Sequence, residues 1–206
     1  MLNLPSTATE YARLSRKEQQ AAVTAVRRAW SRASPDFDES WRRLAPQIVA
    51  ILALAQTRIA RLADDYIPAV LEETGQTRSI KASGQVNTAA FAGVAGSGLT
   101  VGDQLSLTPV RAKQAVSAGS APSQALAAAG MWLTNSAGTI LSDTARAVEV
   151  TGMSVRSVSG YVRMLEPPSC GRCVVLAGKY YRKNQGFQRH PGCDCRHIPA
   201  SESIAD

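Results

Sequence analysis

The chain has 206 residues and a mass of 21.8 kDa, with 23 Lys+Arg against 16 Asp+Glu, giving a formal charge of +7 and a pI near 9.6. Apolar residues make up 45%, aromatics 5% and charged residues 19%, a balance too apolar for a wholly disordered chain and poor in large core-forming side chains. The longest apolar run, residues 48–55, is far short of the roughly 20 residues a bilayer span requires, and the N-terminus lacks the basic stretch and apolar core of a secretory signal, so the expectation is no membrane and a reducing, cytosolic origin.

Tyr11, Leu14, Ala21/Ala22, Ala25/Val26 and Trp30 recur at helical spacing, which predicts an amphipathic helix over residues 7–33. Ser34-Pro35-Asp36 interrupts it. A second helix is expected to start near Asp36 or Asp38 and to run through Trp41, Leu44, Ile48, Leu52, Ala55, Ile59 and Leu62 to about Glu73. Pro46 is tolerable near the start of such a helix, Pro68 is expected to kink or break it, and Gly75 to end it. The two helices are expected to form an antiparallel hairpin over residues 1–74.

Residues 75–102 are rich in Gly, Ser and Thr with little periodicity and read as a linker or a small-residue packing segment. Gly93, Gly96 and Gly98 resemble a phosphate-cradling loop only superficially, because neither a preceding hydrophobic strand nor a Gly-Lys-Ser/Thr ending is present. Helical patterning returns over 103–118 and 120–150, within a segment bounded at 103–152. The second stretch has Leu126, Met131, Trp132, Ile140, Leu141, Ala145 and Val148 on its apolar face, with Gly130 and Gly138 as weak points. After Gly152 the pattern predicts short strands at 153–158, 160–165 and 173–176. The fold class expected is therefore mainly α: a long body of antiparallel helices followed by a small C-terminal α+β module over 153–206. A module of that size has little core of its own, which is where a metal staple matters most.

All four cysteines, Cys170, Cys173, Cys193 and Cys195, and both histidines, His190 and His197, fall within one 28-residue stretch of the form C-x2-C-x16-H-x2-C-x-C-x-H. Zinc takes four thiolate or imidazole ligands in a tetrahedron. A C-x2-C turn directs two sulfurs at one ion, and a second cluster returned by a loop of about 12–20 residues closes the shell. Six candidates compete for four places. Cys170 and Cys173 are read as the first pair, and His190 with one or both of Cys193 and Cys195 as the second, since residues two apart in an extended piece face opposite sides. His197 is read as the spare, and structural zinc as the cofactor. Two disulfides are the alternative in an oxidising compartment. A redox pair at Cys170/Cys173 is a third, although Pro167-Pro168 opposes the helix such a pair usually opens.

Residues 151–197 hold eight basic side chains against Glu166 and Asp194, a local net charge of +6. Arg172, Lys179, Arg182, Lys183, Arg189 and Arg196 are therefore candidate contacts to nucleic-acid phosphates or to an acidic protein partner, with Tyr180, Tyr181 and Phe187 available to stack on bases. Both imidazoles of the chain lie inside the cysteine cluster, so Ser-His or Cys-His chemistry competes directly with metal binding. The H-x-E element of the zinc deaminases is absent. No catalytic residue and no small-molecule substrate are assigned.

Residues 160–201 resemble the C-terminal signature of the MuF-like minor head proteins of tailed bacteriophages, in the variety found in phages of actinobacteria. The matching pieces are Cys170 and Cys173 followed by Leu176-Ala177-Gly178, and His190-Pro191 with Cys193, Cys195 and Arg196. A looser similarity covers residues 110–130. The resemblance implies a minor capsid protein of the virion, portal-associated and present in few copies, made in the host cytoplasm and linked to head assembly and to DNA packaging or ejection. The partners it implies are the portal protein, the major capsid protein and the packaged DNA. Members of this group are often labelled capsid maturation proteases, which is the enzymatic alternative; a zinc-dependent nucleic-acid-binding module is another.

Overall fold

A computed structural model describes residues 4–76, 82–165, 171–185 and 195–200, with Arg172 described by its backbone alone. In chain order the elements are α1 (Ser6–Trp30), α2 (Phe37–Glu73), a short 3-10 turn (Thr88–Phe91), α3 (Val101–Leu105), α4 (Leu107–Ser117), α5 (Pro122–Val155), β1 (Gly160–Met164), α6 (Gly171–Val175), β2 (Tyr180–Arg182) and β3 (Arg196–Ala200). The chain is mainly helical, with a small three-stranded antiparallel sheet at its C-terminal end. Among the described residues no helix is long and apolar enough to cross a membrane.

The first two helices form as their sequence periodicity predicts. α1 buries Tyr11, Ala22, Val26 and Trp30 along one stripe. α2 begins at Asp36, whose carboxylate accepts from the Glu39 N–H at 3.1 Å, and Asp38 and Glu39 place negative charge at the positive end of the helix dipole. Pro68 does not break the helix: α2 runs through both prolines to Glu73. Losing the amide donor there costs about 3 kcal/mol, but the neighbouring Ile67, Val70 and Leu71 are all buried, and full burial of each such side chain contributes about 1.5–3 kcal/mol. Packing outweighs the backbone penalty.

α1 and α2 lie antiparallel, because the start of one meets the end of the other. Pro5 offers α1 no side-chain cap. Instead the Glu73 carboxylate accepts from the backbone N–H groups of Ser6 at 2.7 Å and Thr7 at 2.9 Å and from both hydroxyls, so the last turn of α2 caps the first turn of α1. The Thr7 hydroxyl, then the Thr7 and Ser6 amides, hold the Glu73 carboxyl down to about 2 from an ordinary value of 4.5. A carboxyl depressed on folding contributes stability that is complete above pH 4.5 and is lost as pH falls toward 2. The difference in urea midpoint between wild type and Glu73→Gln should therefore be largest above pH 5 and shrink through that window; a difference independent of pH would contradict the cap.

α5 packs along both α1 and α2, and Gly130 in its first half is a close-approach site. A Cβ there would lie 2.7 Å from Cδ1 of Trp30, whose indole N–H donates to the Leu126 carbonyl at 3.1 Å. The glycine that weakens helix propensity on paper admits this indole. Gly130→Ala should thus lower stability by about 1–3 kcal/mol through overpacking, against the gain of about 1 kcal/mol that propensity alone gives. A raised melting temperature would show that Trp30 can move away.

Residues 82–100, read as part of a linker, are fastened to α2. The buried Gln56 amide donates to the Val94 carbonyl at 2.7 Å and to the Thr144 hydroxyl at 2.9 Å, while its oxygen accepts from the Gly93 N–H at 2.8 Å. Gly93 and Gly98 take positive φ values of 77° and 85° in the turns around the Val94–Thr100 bridge. The glycines of this segment shape a turn; they do not open a helix onto a phosphate site.

The sheet has the order β2-β1-β3, with Tyr161 opposite Tyr181 and Arg163 opposite His197. Two of the three expected strands are corrected. Residues 153–155 complete α5, because Gly152 lets that helix pass close to Ile67 of α2, and residues 171–175 form α6. Both were short Val-rich runs, in which period alone does not separate strand from helix. The sheet covers one end of the helical body: Tyr161, Met164 and Ile198 join Tyr11, Tyr66, Ile67, Val148 and Met153 in one buried cluster. A second cluster, around Trp30, Ile48, Leu52, Leu133 and Ile140, occupies the other end.

Candidate functional site

β1 places Arg163 inside the C-terminal module, where its guanidinium is buried. Its Nη2 donates to Sγ of Cys173 at 3.1 Å and to Sγ of Cys195 at 3.3 Å. Both cysteines are buried and free of disulfides, and Leu165 closes over them. One sulfur comes from α6 and the other from the residue preceding β3, so the two cysteine clusters of the sequence meet at one guanidinium. Arginine carries no proton-accepting site and remains cationic, which complements negatively charged sulfur.

Of the other expected ligands, Cys170, His190 and Cys193 lie outside the described residues. Among the described residues no group of three or more Cys, His, Asp or Glu side chains is gathered; Cys173 and Cys195 are a pair. Their chemistry fits a zinc site: two soft donors, buried, converging from separate segments, with a cationic N–H donor in the outer position that tunes and orients thiolate ligands.

His197, read as the spare, is engaged elsewhere. It lies on β3 with its ring 4.0 Å from that of Tyr161 and its Nδ1 3.0 Å from Oε2 of Glu149. Glu149 is completely buried on α5. It also accepts from the Tyr11 hydroxyl at 2.7 Å and from the His197 backbone N–H at 3.3 Å. Tyr66 stacks on Tyr11 with ring centroids 4.3 Å apart and donates its hydroxyl to the His197 carbonyl at 2.9 Å. Burial pushes the Glu149 carboxyl up, but its pairing with His197, the charge of Arg196 and the Tyr11 hydrogen bond outweigh that, and it lies below the usual carboxylate range. Burial first, and then the Glu149 charge, raise both tyrosines well above their ordinary value of 10, so both hydroxyls remain donors.

Arg196 is a correction. It was expected on a partner-facing surface, yet it is among the most deeply buried side chains, donating to the Ser15 hydroxyl at 3.2 Å with its guanidinium 5.9 Å from the Tyr11 ring. All five residues of β3 are buried, because that strand is covered by α2 and α5, so its alternation reaches no solvent face. Lys179 and Arg182 are exposed and Lys183 half-buried. The Arg172 side chain and Arg189 are outside the described residues, as is Phe187. Tyr181 is stacked on Tyr161 at 5.6 Å and Tyr180 donates to the Ser159 hydroxyl at 3.0 Å, so neither is an idle platform for a base.

The sequence reading missed Arg163 as the residue that meets the two cysteines, and Glu149, Tyr11, Tyr66 and Ser15 as members of a separate network with His197 and Arg196. One signal was available: Glu149 falls four residues after Ala145 and next to Val148, on the apolar face of its helix, and a carboxylate at a core-facing position requires a partner. As arranged, the network joins α1, α2, α5 and β3 through buried polar bonds. Comparison of the chain with protein-family models, curated proteins and solved structures gives no match.

Proposed function

We propose that this chain is a minor head protein of the MuF-like kind, a portal-associated structural component of a phage capsid, whose C-terminal module is stapled by zinc. Cys173 and Cys195 would hold the ion, with the remaining ligands drawn from Cys170, His190 and Cys193. When bound, zinc supplies cross-linking of the two cysteine segments and no reaction. The single observation that carries this reading is the convergence of Cys173 and Cys195 on the Arg163 guanidinium, which matches the two-cluster spacing of the sequence.

The residues of this chain divide the work accordingly. Arg163 orients both sulfurs and offsets their charge. The Glu149 network anchors β3, and with it Cys195, to the helical body. Lys179, Arg182 and Lys183 lie on the remaining surface of the module, a location suited to an acidic face of a portal or major capsid protein. The protease alternative needs a nucleophile that substrate can reach. It is disfavoured by the burial of both described cysteines and by the engagement of His197 with Glu149.

The test is co-expression of the full chain with the portal and major capsid proteins of the same genome, followed by purification of assembled heads. The expected result is incorporation in a few copies per head with no change in capsid-protein mass. Absence from the heads, or appearance of a cleaved capsid protein that depends on a single Ser or Cys of this chain, would overturn the structural reading.

A further inference from the structure

The outer side of α1 carries a run of cations that the proposed metal site does not use. Arg13, Lys17, Arg27, Arg28 and the following Arg32 are exposed, and Arg16 is half-buried beside them. The acidic side chains of the helix are engaged: Glu10 is bound by Arg13, and Glu18 faces Arg58 of α2 at 3.4 Å. On each side of α1 runs a shallow groove. The groove toward α2 is lined by Lys17 at one end and by Arg28 and Arg32 at the other; the groove toward α5 by Arg16 at one end and Arg27 at the other. Gln20 and Thr24 border both, and among the described residues no acidic side chain lines either.

The spacing is regular. Arg16-Lys17 and Arg27-Arg28 are eleven residues apart, close to three helical turns, which puts the two cationic pairs on one line of the helix about 16 Å apart. Small and hydrogen-bonding residues, Gln20, Ala21 and Thr24, fill the interval, so a backbone can approach closely between the pairs. From these observations we infer that the α1 face binds the phosphate backbone of double-stranded DNA without reading its sequence. The two cationic pairs would span the two strands bordering a groove about 12 Å wide. Single-stranded nucleic acid is disfavoured because the stripe offers no aromatic platform for unstacked bases. An acidic protein is disfavoured because no large apolar side chain is exposed on α1 between residues 13 and 32 to act as the anchor that protein interfaces use. This inference does not depend on the zinc site.

The experiment is fluorescence anisotropy with a labelled 30-base-pair duplex of arbitrary sequence, titrated with the full chain at several salt concentrations. Wild type should bind with a dissociation constant in the range of about 10⁻⁴–10⁻⁶ M at physiological salt, with a log–log salt slope of about −0.9 per phosphate contacted. The triple variant Lys17→Gln, Arg27→Gln, Arg28→Gln should reduce that slope by about one unit per residue and weaken binding at least about tenfold at low salt. All three side chains are exposed, so the fold should persist, checked by circular dichroism. A matched charge removal on α2 and α4, Arg61→Gln, Arg111→Gln and Lys113→Gln, should leave the slope unchanged. The inference is overturned if both triple variants weaken binding equally, if binding depends instead on Arg182 and Lys183, if a single strand binds as tightly as the duplex, or if polyglutamate displaces the duplex at equal charge concentration.

Discussion

Glu149→Ala is expected to lower the unfolding free energy by about 3–5 kcal/mol, the usual effect of deleting one partner of a buried charged pair. The substitution removes the acceptor of the Tyr11 hydroxyl and the partner of His197, and takes away a negative charge that attracts the buried Arg196. Glu149→Gln should cost less, because the amide oxygen can still accept from Tyr11. If the network instead served catalysis at a solvent-open site, stability would change little. Urea unfolding followed by far-ultraviolet circular dichroism measures this directly. A loss under about 1 kcal/mol for Glu149→Ala would mean that the Glu149 carboxylate does not hold α1, α5 and β3 together.

Cys173→Ser is expected to have a comparable or larger effect in the presence of zinc. Structural zinc sites contribute apparent binding free energies of about 10–16 kcal/mol in small peptides at pH 7, and that energy appears as folding energy. Replacing a thiolate by a hydroxyl should reduce zinc affinity by well over about 100-fold, while Arg163→Gln, which removes an outer-position donor, should reduce it by about 10–100-fold. Because Tyr161, Met164 and Ile198 of the sheet complete the cluster around Tyr11 and Tyr66, the loosening should extend into that end of the bundle. The cluster around Trp30, Leu133 and Ile140 should stay folded. Limited proteolysis with mass spectrometry reads both: new cleavage between residues 160 and 200, and protection of α4 and the first half of α5. An unchanged C-terminal cleavage pattern would contradict the staple.

The long helices were legible because their apolar stripes are regular over many turns and the Asp36 cap lies where the pattern restarts. The two Val-rich runs after Gly152 were not, since four to six residues carry too little period to separate strand from helix; what decided the first was tertiary, the close passage of α5 over Ile67. Gly130 read as a weak point of its helix and Gly152 as the end of the helical pattern, and both turned out to be sites where a side chain of another helix approaches. Within the candidate site, the cysteine spacing anticipated that residues from separate clusters would meet, and Cys173 and Cys195 do. The roles of His197 and Arg196 were not readable from spacing, because they depend on β3 being enclosed between α2 and α5. Segment totals also hid the stripe on α1: the charge excess was visible in the C-terminal quarter, whereas the arrangement of Arg16, Lys17, Arg27 and Arg28 shows only when their eleven-residue interval is laid on a helix.

The most direct measurement is elemental mass spectrometry of the full chain purified under reducing conditions without added zinc, paired with a thiol titration before and after chelation. The account predicts one zinc per chain, with Cys173 and Cys195 unreactive until the metal is removed. No metal, with four thiols reactive at once in the folded chain, would contradict it.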